Sequence, residues 1–515
     1  MPQHKTRVMI INPPLLFRDT FIDYPWFAGL GALSAAAVLR EKGFPVSVAD
    51  AYAVPGAGVT PTGNGGFLLG APLDQVLRKP RAPAPDLVIL ALPPFLLPHL
   101  ETPHMHDLLR AIRDFAPHAH LAAADCFFSG MHYIAYHGPA FLARYPQIDT
   151  VVQFECEGVL PHLAASPGEF KGRAVHGHTA DMALDDLPNP AWDLIAVKEY
   201  YTFLRACGTR FSGEINAMLR DRTLPVVTSR GCPFSCSFCT ANTGRDTPAW
   251  RAHSTEYLAY LFASCREHYH ARGLAILDAI ANAEKLEIGC FFPNGLRADR
   301  LTRDHIVRLK KLTPEIKVSA ECGEKDRLHA MGKRLDPAAV EQVAAWCGEI
   351  GLPLKIHYMI GLPGERPENT NATLEHAVSL RDRFGARPLV QYCVPLPGTR
   401  VHAQCQEKGL LPADSGGDLY AGFTDGPVLD TPELPAASLA RRKRWFDRRM
   451  ADSVTDKLII NLTYECSNNC VFCAIGDREK THCHARRVLE LLKEYRERGV
   501  TLVDFDGGEP TLHPR

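Results

Sequence analysis

Strand-like and helix-like hydrophobic patterns alternate through residues 1–165. Five apolar runs predict strands, and they are RVMIIN, FPVSVAD, DLVILAL, AHLAAAD and DTVVQFE. Between the first two, AGLGALSAAAVLREKG predicts a helix that ends at Gly43. Strands that alternate with helices predict an α/β domain with a doubly wound, Rossmann-like parallel sheet. Such sheets bind ligands at the carboxyl ends of their strands, so the NPPLLFRDTFIDYPWFAG loop after the first strand is a candidate ligand edge.

A second alternating block covers residues 226–415, after a connective stretch at 166–225 that predicts a linker. The strand LPVVTSRGC opens this block, and RLDPAAVEQVAAWCGEIG is its clearest helix. Asp336 can cap that helix, Pro337 suits its first turn and Gly351 can end it. The strand PLKIHYMIGLPGE and the helix TNATLEHAVSLRDRFG follow. Repeated strand–helix units predict a partial (β/α)6 barrel of the TIM type.

A third block, residues 456–515, repeats the beginning of the second after a linker at 416–455. The strand KLIINLTYEC mirrors LPVVTSRGC, and HARRVLELLKEYRERG and VTLVDFDGGEP supply one helix and one more strand. So few elements cannot close a barrel or bury a core of normal size. We therefore expect a truncated second copy of the preceding domain, and a complete small appendage is the alternative.

Composition excludes some broad classes for this chain of 515 residues. Its formal net charge of -1 gives no overall attraction to nucleic acid or anionic lipid. The amino terminus has no apolar signal core, and the longest apolar run, LVILALPPFLLP, is too short to span a membrane. The basic stretch ARRKRWFDRRM predicts a solvated helix face, and the cluster of His99, His104 and His106 predicts a solvent-facing helix start rather than a metal site. We therefore expect a cytoplasmic protein that binds neither membrane nor nucleic acid.

The cysteines carry the candidate chemistry. Six of the sixteen lie in two loops with the same Cys-x-x-x-Cys-x-x-Cys spacing, namely Cys232, Cys236, Cys239, Cys466, Cys470 and Cys473. Structural zinc uses four ligands, and only the second loop has a close candidate fourth, among His482, Cys483 and His484. A thioredoxin-like site would leave the extra cysteine unexplained. Three thiolates on a four-iron cubane explain the count better, because they leave one iron open to an exogenous ligand.

Both loops resemble the signature of the radical S-adenosylmethionine enzymes. Each follows a strand, and each has an aromatic residue before its last cysteine, Phe238 in the first loop and Phe472 in the second. The resemblance implies a 4Fe-4S cluster whose open iron binds the amino and carboxylate groups of S-adenosylmethionine. It further implies reductive cleavage to methionine and a 5'-deoxyadenosyl radical, with the aromatic side chain near the adenine.

Other positions fit the same resemblance. DFDGGEP matches the motif on the family's second strand, which implies that Gly507, Gly508 and Glu509 hold the methionine amino group. The middle block has LAILDAIANA there instead, with Asp278 as its only acid. KVSAECGEKD resembles the fourth strand, which implies that Glu321 holds ribose hydroxyls, although a surface acid at a strand end is the alternative. IGLPGE resembles the segment whose backbone meets adenine through Gly361, and its glycines fit an ordinary turn equally well.

A doubly wound domain before such a barrel resembles the cobalamin-binding subfamily of radical S-adenosylmethionine enzymes. NPP, FECEG and DDLPNPAWDLI resemble segments of that subfamily, and the resemblance covers residues 5–415. The Asp-x-His-x-x-Gly cobalt-ligand motif is missing. DCFFSG has its Asp and Gly but has Phe127 in place of the histidine, and it follows the fourth strand rather than the first, so the similarity is a coincidence. Many members lack that histidine, so cobalamin is still expected. The alternative is a domain that keeps only the fold and shapes the substrate entrance.

The resemblance implies methyl transfer to an unactivated carbon of a small-molecule or peptide substrate. It implies an electron donor such as flavodoxin or ferredoxin, and the cofactors are one or two 4Fe-4S clusters, S-adenosylmethionine and cobalamin. The alternatives are cobalamin-independent radical rearrangement or cyclisation, and a non-catalytic iron–sulfur or zinc protein.

Overall fold

The structure is a computed structural model of the whole chain. It describes residues 5–18, 29–62, 66–77, 83–126, 133–177, 182–210, 222–241, 243–244, 250–276, 289–292, 295–411, 426–451, 457–466, 481–497, 500, 502–507 and 510. The chain divides into two compact units, Met1–Leu439 and Ala440–Arg515. No helix within the described ranges is both long and apolar enough to cross a membrane.

Nine strands belong to the front part of the first unit, and they are β1 (Val8–Asn12), β2 (Leu15–Arg18), β3 (Val46–Asp50), β4 (Val59–Pro61), β5 (Gly66–Leu69), β6 (Leu87–Leu92), β7 (His120–Asp125), β8 (Thr150–Phe154) and β9 (Arg173–Gly177). Six of them form one parallel sheet in the order β3-β1-β6-β7-β8-β9. The strand order reverses between β1 and β6, which is the topological switch point of a doubly wound sheet. The predicted Rossmann-like domain is therefore confirmed.

The helices of this part are α1 (Leu30–Glu41), α2 (Leu73–Leu77), α3 (Pro103–Phe115), α4 (Gly138–Arg144), α5 (Leu160–Ala165) and α6 (Val197–Arg210). All six residues of β6 are buried, as expected for a strand covered on both faces. The side chain of Thr102 accepts a hydrogen bond from Met105 N and begins α3, and Gly43, at φ 82°, follows the end of α1.

Two features of the front part differ from the sequence prediction. The predicted linker at 166–225 contains β9, which adds a sixth strand to the sheet, and α6, whose Phe203 packs on Tyr52 at 5.2 Å between ring centroids. The predicted ligand loop begins with β2, which pairs with β5 in a small antiparallel sheet. Short runs such as LLFR and RAVHG carry too little periodicity to predict a strand.

Eight strands follow, namely β10 (Thr223–Val226), β11 (Ser229–Gly231), β12 (Trp250–Ala252), β13 (Gly273–Ile276), β14 (Gly289–Phe291), β15 (Ile316–Glu321), β16 (Leu354–Ile360) and β17 (Arg387–Tyr392). Two parallel sheets run in the orders β10-β13-β14 and β15-β16-β17. A parallel bridge pairs Leu296, which follows β14 in the chain, with Val318 of β15. These six parallel strands confirm the predicted partial barrel.

The helices here are α7 (Thr255–Glu267), α8 (Arg303–Leu312), α9 (Lys325–Ala330), α10 (Pro337–Ile350), α11 (Pro367–Phe384) and α12 (Arg400–Glu407). Helix α10 begins and ends as predicted, because Asp336 accepts a hydrogen bond from Ala338 N at 3.0 Å and Gly351 adopts φ 71°. Along β16 fully buried residues alternate with half-buried ones, as expected when helices cover one face of the strand.

Helix α13 (Ala436–Ala451) contains the boundary between the two units and lies within the predicted linker at 416–455. The second unit also contains β18 (Lys457–Thr463), α14 (Ala485–Glu497) and β19 (Leu502–Gly507). Strands β18 and β19 are parallel, and a small core lies between them and α14, made of Leu458, Ile460, Val488 and Val500. One strand–helix–strand unit is therefore what the described residues show.

Candidate functional site

The first cysteine loop lies directly after the first barrel strands. Strand β11 ends at Gly231, and it pairs with the return strand β12 in antiparallel register. Backbone hydrogen bonds fix the loop from two sides: Ser237 N donates to Met331 O at 2.8 Å, and Val401 N donates to Ser237 O at 2.9 Å. All three cysteines and Phe238 between them are partly buried. Segments that follow the fourth and the sixth parallel barrel strands therefore hold this loop in place.

The thiols of this loop lie in a partly desolvated site. Cys236 Sγ lies 3.9 Å from Gly332 O, and Ala241 N donates to Cys239 Sγ at 3.5 Å. Burial raises the pKa of Cys236, against the lowering effect of Lys333, and raises the pKa of Cys239 to about 11. Metal binding must therefore displace protons from these thiols.

No three ligand-type side chains within the described ranges converge on the position of a single ion. The donor set is three cysteines on one short loop, which suits a cubane whose fourth iron is open to another ligand. The residues present therefore fit the cluster that the sequence predicts.

Glu321 lies at the end of the fourth parallel barrel strand, as predicted. It adopts φ 64°, which few non-glycine residues adopt, at a shift in the register between β15 and β16. Its carboxylate accepts from Lys333 Nζ at 2.9 Å, and both side chains are largely buried. Lys333 could not be predicted from the sequence, because nothing in GKRLDP distinguishes it from a surface lysine.

Gly361 follows β16 and has the conformation of a turn glycine, at φ 85°. Its backbone N–H donates to Glu365 Oε2 at 2.9 Å, and Leu362 N donates to the same oxygen at 3.0 Å. Thr370 Oγ1 donates to Glu365 Oε1 at 2.6 Å. Glu365 therefore closes the IGLPGE turn internally. The role of Gly361 toward adenine stays a prediction.

The chain before each cysteine loop accepts a similar backbone hydrogen bond. His253 N donates to Thr228 O at 2.9 Å, and Cys483 N donates to Leu462 O at 2.7 Å, each acceptor lying four residues before its loop's first cysteine. Thr463 Oγ1 lies 2.8 Å from His482 Nδ1, beside the start of the second loop. Cys466 is partly buried, whereas Cys470, Phe472, Cys473, Gly508 and Glu509 lie outside the described residues.

Strand register relates the two second strands. Thr223 and Lys457 each lie nine residues before the first cysteine of their loop. Thr223 pairs with Gly273, and Lys457 pairs with Leu502. Counting five residues onward reaches Asp278 in the middle block and Gly507, at φ 138°, in the second unit. Asp278 itself lies outside the described residues, so its place as the middle block's acid near the methionine amino group stays a prediction.

A buried cluster of four charges connects the front sheet to the cysteine loop. Arg230, two residues before Cys232, donates to Glu157 at 2.6 Å and lies 3.7 Å from Glu155, which accepts from Arg251 at 2.6 Å. These side chains are between 2% and 15% exposed, so the charges neutralise one another away from water. In the sequence, FECEG shows only a family resemblance, because the arginines that pair with its two acids lie 73 and 96 residues away.

The carboxyl edge of the front sheet has buried acids whose carboxylates accept hydrogen bonds from neighbouring protein groups. Asn12 Nδ2 donates to Asp50 at 2.9 Å, and burial raises the pKa of Asp50 to about 6. Asp125 accepts from Tyr136 Oη and from Phe154 N, both at 2.8 Å, and burial raises its pKa to about 7. Phe127 lies outside the described residues. These acids are structural parts of the edge.

The histidine cluster predicted to face solvent is instead partly buried, and its three rings have separate surroundings. His104 Nε2 bonds with Pro14 O at 2.9 Å, His106 Nε2 bonds with Glu101 at 2.8 Å, and both ring nitrogens of His99 are buried without a hydrogen bond. His104 therefore ties α3 to the segment after β1.

The fold is a doubly wound domain followed by a partial barrel whose first strands end at a three-cysteine loop. Solved structures of radical S-adenosylmethionine enzymes have a similar fold. The methyltransferase TsrM from Kitasatospora setae, determined with cobalamin and a [4Fe-4S] cluster bound, aligns with a TM-score of 0.52 at 16% identity, over 85% of each chain. The cobalamin-dependent enzyme OxsB, with aqua-cobalamin and S-adenosylmethionine bound, aligns with a TM-score of 0.55 at 15% identity, over 88% of this chain and 68% of OxsB.

Sequence comparison gives a relative of higher identity over a shorter part of the chain. An uncharacterized methyltransferase of Pyrococcus horikoshii is 24% identical over 241 residues, 44% of this chain and 48% of that protein. The chain thus spans about half the length of the curated relative that it matches. No family model matches the chain.

Proposed function

We propose that the chain is a radical S-adenosylmethionine enzyme that transfers a methyl group, with a cobalamin-binding front domain. The observation that carries this proposal is the three-cysteine loop, held by the 331–332 segment and by Val401 at the end of the first barrel strands. The fold that the chain shares with TsrM and OxsB supports the assignment. The Pyrococcus relative, a methyltransferase by its description, supports the reaction class.

Cys232, Cys236 and Cys239 would hold a 4Fe-4S cluster, which supplies one electron for the reductive cleavage of S-adenosylmethionine. The chain's own residues then position the cosubstrate. Phe238 lies in the loop next to Cys239 and would contact the adenine. The Glu321–Lys333 pair offers one carboxylate and one ammonium group for ribose and carboxylate oxygens. Cobalamin, when bound at the carboxyl edge of the front sheet, would supply the methyl group.

The second unit would be the beginning of a second radical S-adenosylmethionine domain, with Cys466, Cys470 and Cys473 on its cluster and Gly507, Gly508 and Glu509 on the methionine amino group. The repeated backbone bond before each cysteine loop supports this assignment. We place the enzyme in the cytoplasm, where a low-potential carrier such as flavodoxin or ferredoxin can supply electrons. Its substrate would be a small molecule or peptide.

The test is anaerobic reconstitution of the full chain with iron and sulfide. We expect about four irons per occupied loop and 5'-deoxyadenosine formation under reductant. Cys232→Ala should remove the iron and the cleavage that belong to the first loop. Cys265→Ala, in a buried cysteine on α7 outside both loops, is the matched control and should keep both. Stoichiometric zinc without iron would contradict the proposal.

Retention of cobalamin tests the front domain separately. Protein mixed with hydroxocobalamin should elute from gel filtration with its corrinoid absorbance. Cleavage of S-adenosylmethionine without corrinoid retention would favour a cobalamin-independent radical enzyme instead.

A further inference from the structure

We propose that an arginine-lined surface at the tip of the first cysteine loop is the docking site of a small acidic electron-carrier protein. The surface consists of the loop tip, residues 233–235, and three arginines around it, Arg297, Arg334 and Arg400. The inference rests on the proposed function, since it assigns the surface through which the cluster would receive its electron.

The loop tip brings the outside of the protein next to a cluster thiol. Pro233 and Ser235 are exposed, and Ser235 directly precedes Cys236. Cys236 Sγ lies 3.9 Å from the carbonyl of Gly332, and a Cβ at Gly332 would lie 2.6 Å from Ser235 O. A short path therefore leads from solvent to Cys236 Sγ, through the covalent chain at Ser235 and through the contact with Gly332. An electron carrier docks best where the distance to its acceptor is shortest.

Two of the arginines contact the loop tip directly, and the third adjoins them. The guanidinium of Arg297 lies 3.8 Å from the centroid of the Phe234 ring, and it donates to Lys333 O at 3.0 Å and to Arg334 O at 3.2 Å. Arg400 donates to Ser235 O, and its side chain is exposed there. Arg334 is exposed and adopts φ 47°. Arg334 is therefore an exposed charge beside the residue that packs on the tip.

The surface has an excess of positive charge. Asp299 pairs with Arg297 at 2.9 Å, so three arginines face one carboxylate. Lys333 is buried and neutralised by Glu321 inside the barrel. The whole chain, in contrast, has a net charge of -1. A local excess of this kind attracts an acidic partner and raises its association rate, with a strong dependence on salt.

The experiment measures cluster reduction by reduced flavodoxin, an acidic carrier, in stopped flow with the reconstituted full chain. Arg334→Asp reverses one charge and Arg334→Asn removes it, and both side chains tolerate the left-handed conformation at this position. We expect the association rate at low salt to fall about tenfold for Arg334→Asp and less for Arg334→Asn. The difference from wild type should shrink as salt is raised. Binding of oxidised flavodoxin, followed by flavin fluorescence, should weaken in the same order.

Two controls separate the surface from the rest of the protein. Arg110→Glu changes an arginine on α3 of the front domain with a side chain 71% exposed, and it should leave the flavodoxin rate unchanged. Reduced methyl viologen, a small chemical reductant, should reduce the cluster of Arg334→Asp at least as fast as that of wild type.

The outcomes decide between the two proposals. Equal flavodoxin rates in wild type and Arg334→Asp, or a wild-type protein that methyl viologen reduces but flavodoxin neither binds nor reduces, would overturn the docking surface alone. A reconstituted protein with no cluster for methyl viologen to reduce would overturn the proposed function instead.

Discussion

Glu157→Gln should destabilise the first unit strongly, because it leaves an unbalanced charge in a buried cluster. Glu157 and Arg230 are 2% and 6% exposed and lie 2.6 Å apart. Breaking a buried ion pair by removing one partner costs about 3–5 kcal/mol, because the remaining charge stays desolvated. Glu155 is 3.7 Å from Arg230 and already bonded to Arg251, so it can compensate only in part.

The assay is urea unfolding of the apoprotein at pH 7. Burial acts to raise the pKa of Glu157, but Arg230 outweighs it and holds that pKa below the ordinary value. For an acid with a lowered folded-state pKa, the stabilisation is present above the unfolded-state pKa and is lost as pH falls through the folded-state value. At pH 7 the contribution is therefore fully present, and the cost of Glu157→Gln should shrink in acid.

A double variant separates charge imbalance from lost contacts. Glu157→Gln with Arg230→Gln removes one positive and one negative charge and leaves the Arg251–Glu155 pair intact, so more than half of the lost free energy of unfolding should return. Glu349→Gln removes one side of the exposed pair with Arg303 and should have little effect. A single variant that costs less than about 1 kcal/mol, or a double variant as unstable as the single, would refute the charge argument.

The remaining predictions concern one glycine and one acid. Gly332→Ala should lower both the free energy of unfolding and the iron content, because a Cβ there lies 2.6 Å from Ser235 O at φ 73°; Gly385→Ala, at φ 70° with no atom within 4 Å of its Cβ, should keep the iron. Asp125 has a pKa raised by burial to about 7, so its stabilisation is present at low pH and is lost as pH rises through that value. Asp125→Asn should therefore be more stable than wild type at pH 8 by up to roughly 4 kcal/mol, and the gain should vanish near pH 4 in urea unfolding.

Long, regular patterns made most of the fold predictable. The helix at Pro337–Ile350 has its cap, its first-turn proline and its final glycine within one continuous stretch, so local chemistry specified both ends. The main strands of the front sheet were found for the same reason, since β6 is apolar throughout. Strand β9 and the small β2-β4-β5 sheet were missed because short strands depend on partners distant in the chain.

The cysteine loop could be predicted as a site because its spacing and its place after a strand are local in the sequence. The contacts around the loop could not be predicted in the same way. Lys333 reaches Glu321 only because the chain returns over the end of β15, and Glu157 reaches Arg230 across 73 residues.

The sequence by itself determined the longer helices and strands, the spacing of the two cysteine loops and the order of the alternating blocks, because each depends on residues close together in the chain. Only the tertiary structure decided which charges face each other, that Glu365 closes the Gly361 turn and that Arg297 and Arg400 contact the loop tip. The physical reason is that burial and ion pairing depend on distance in space, and desolvation makes those contacts strong only where the fold removes water.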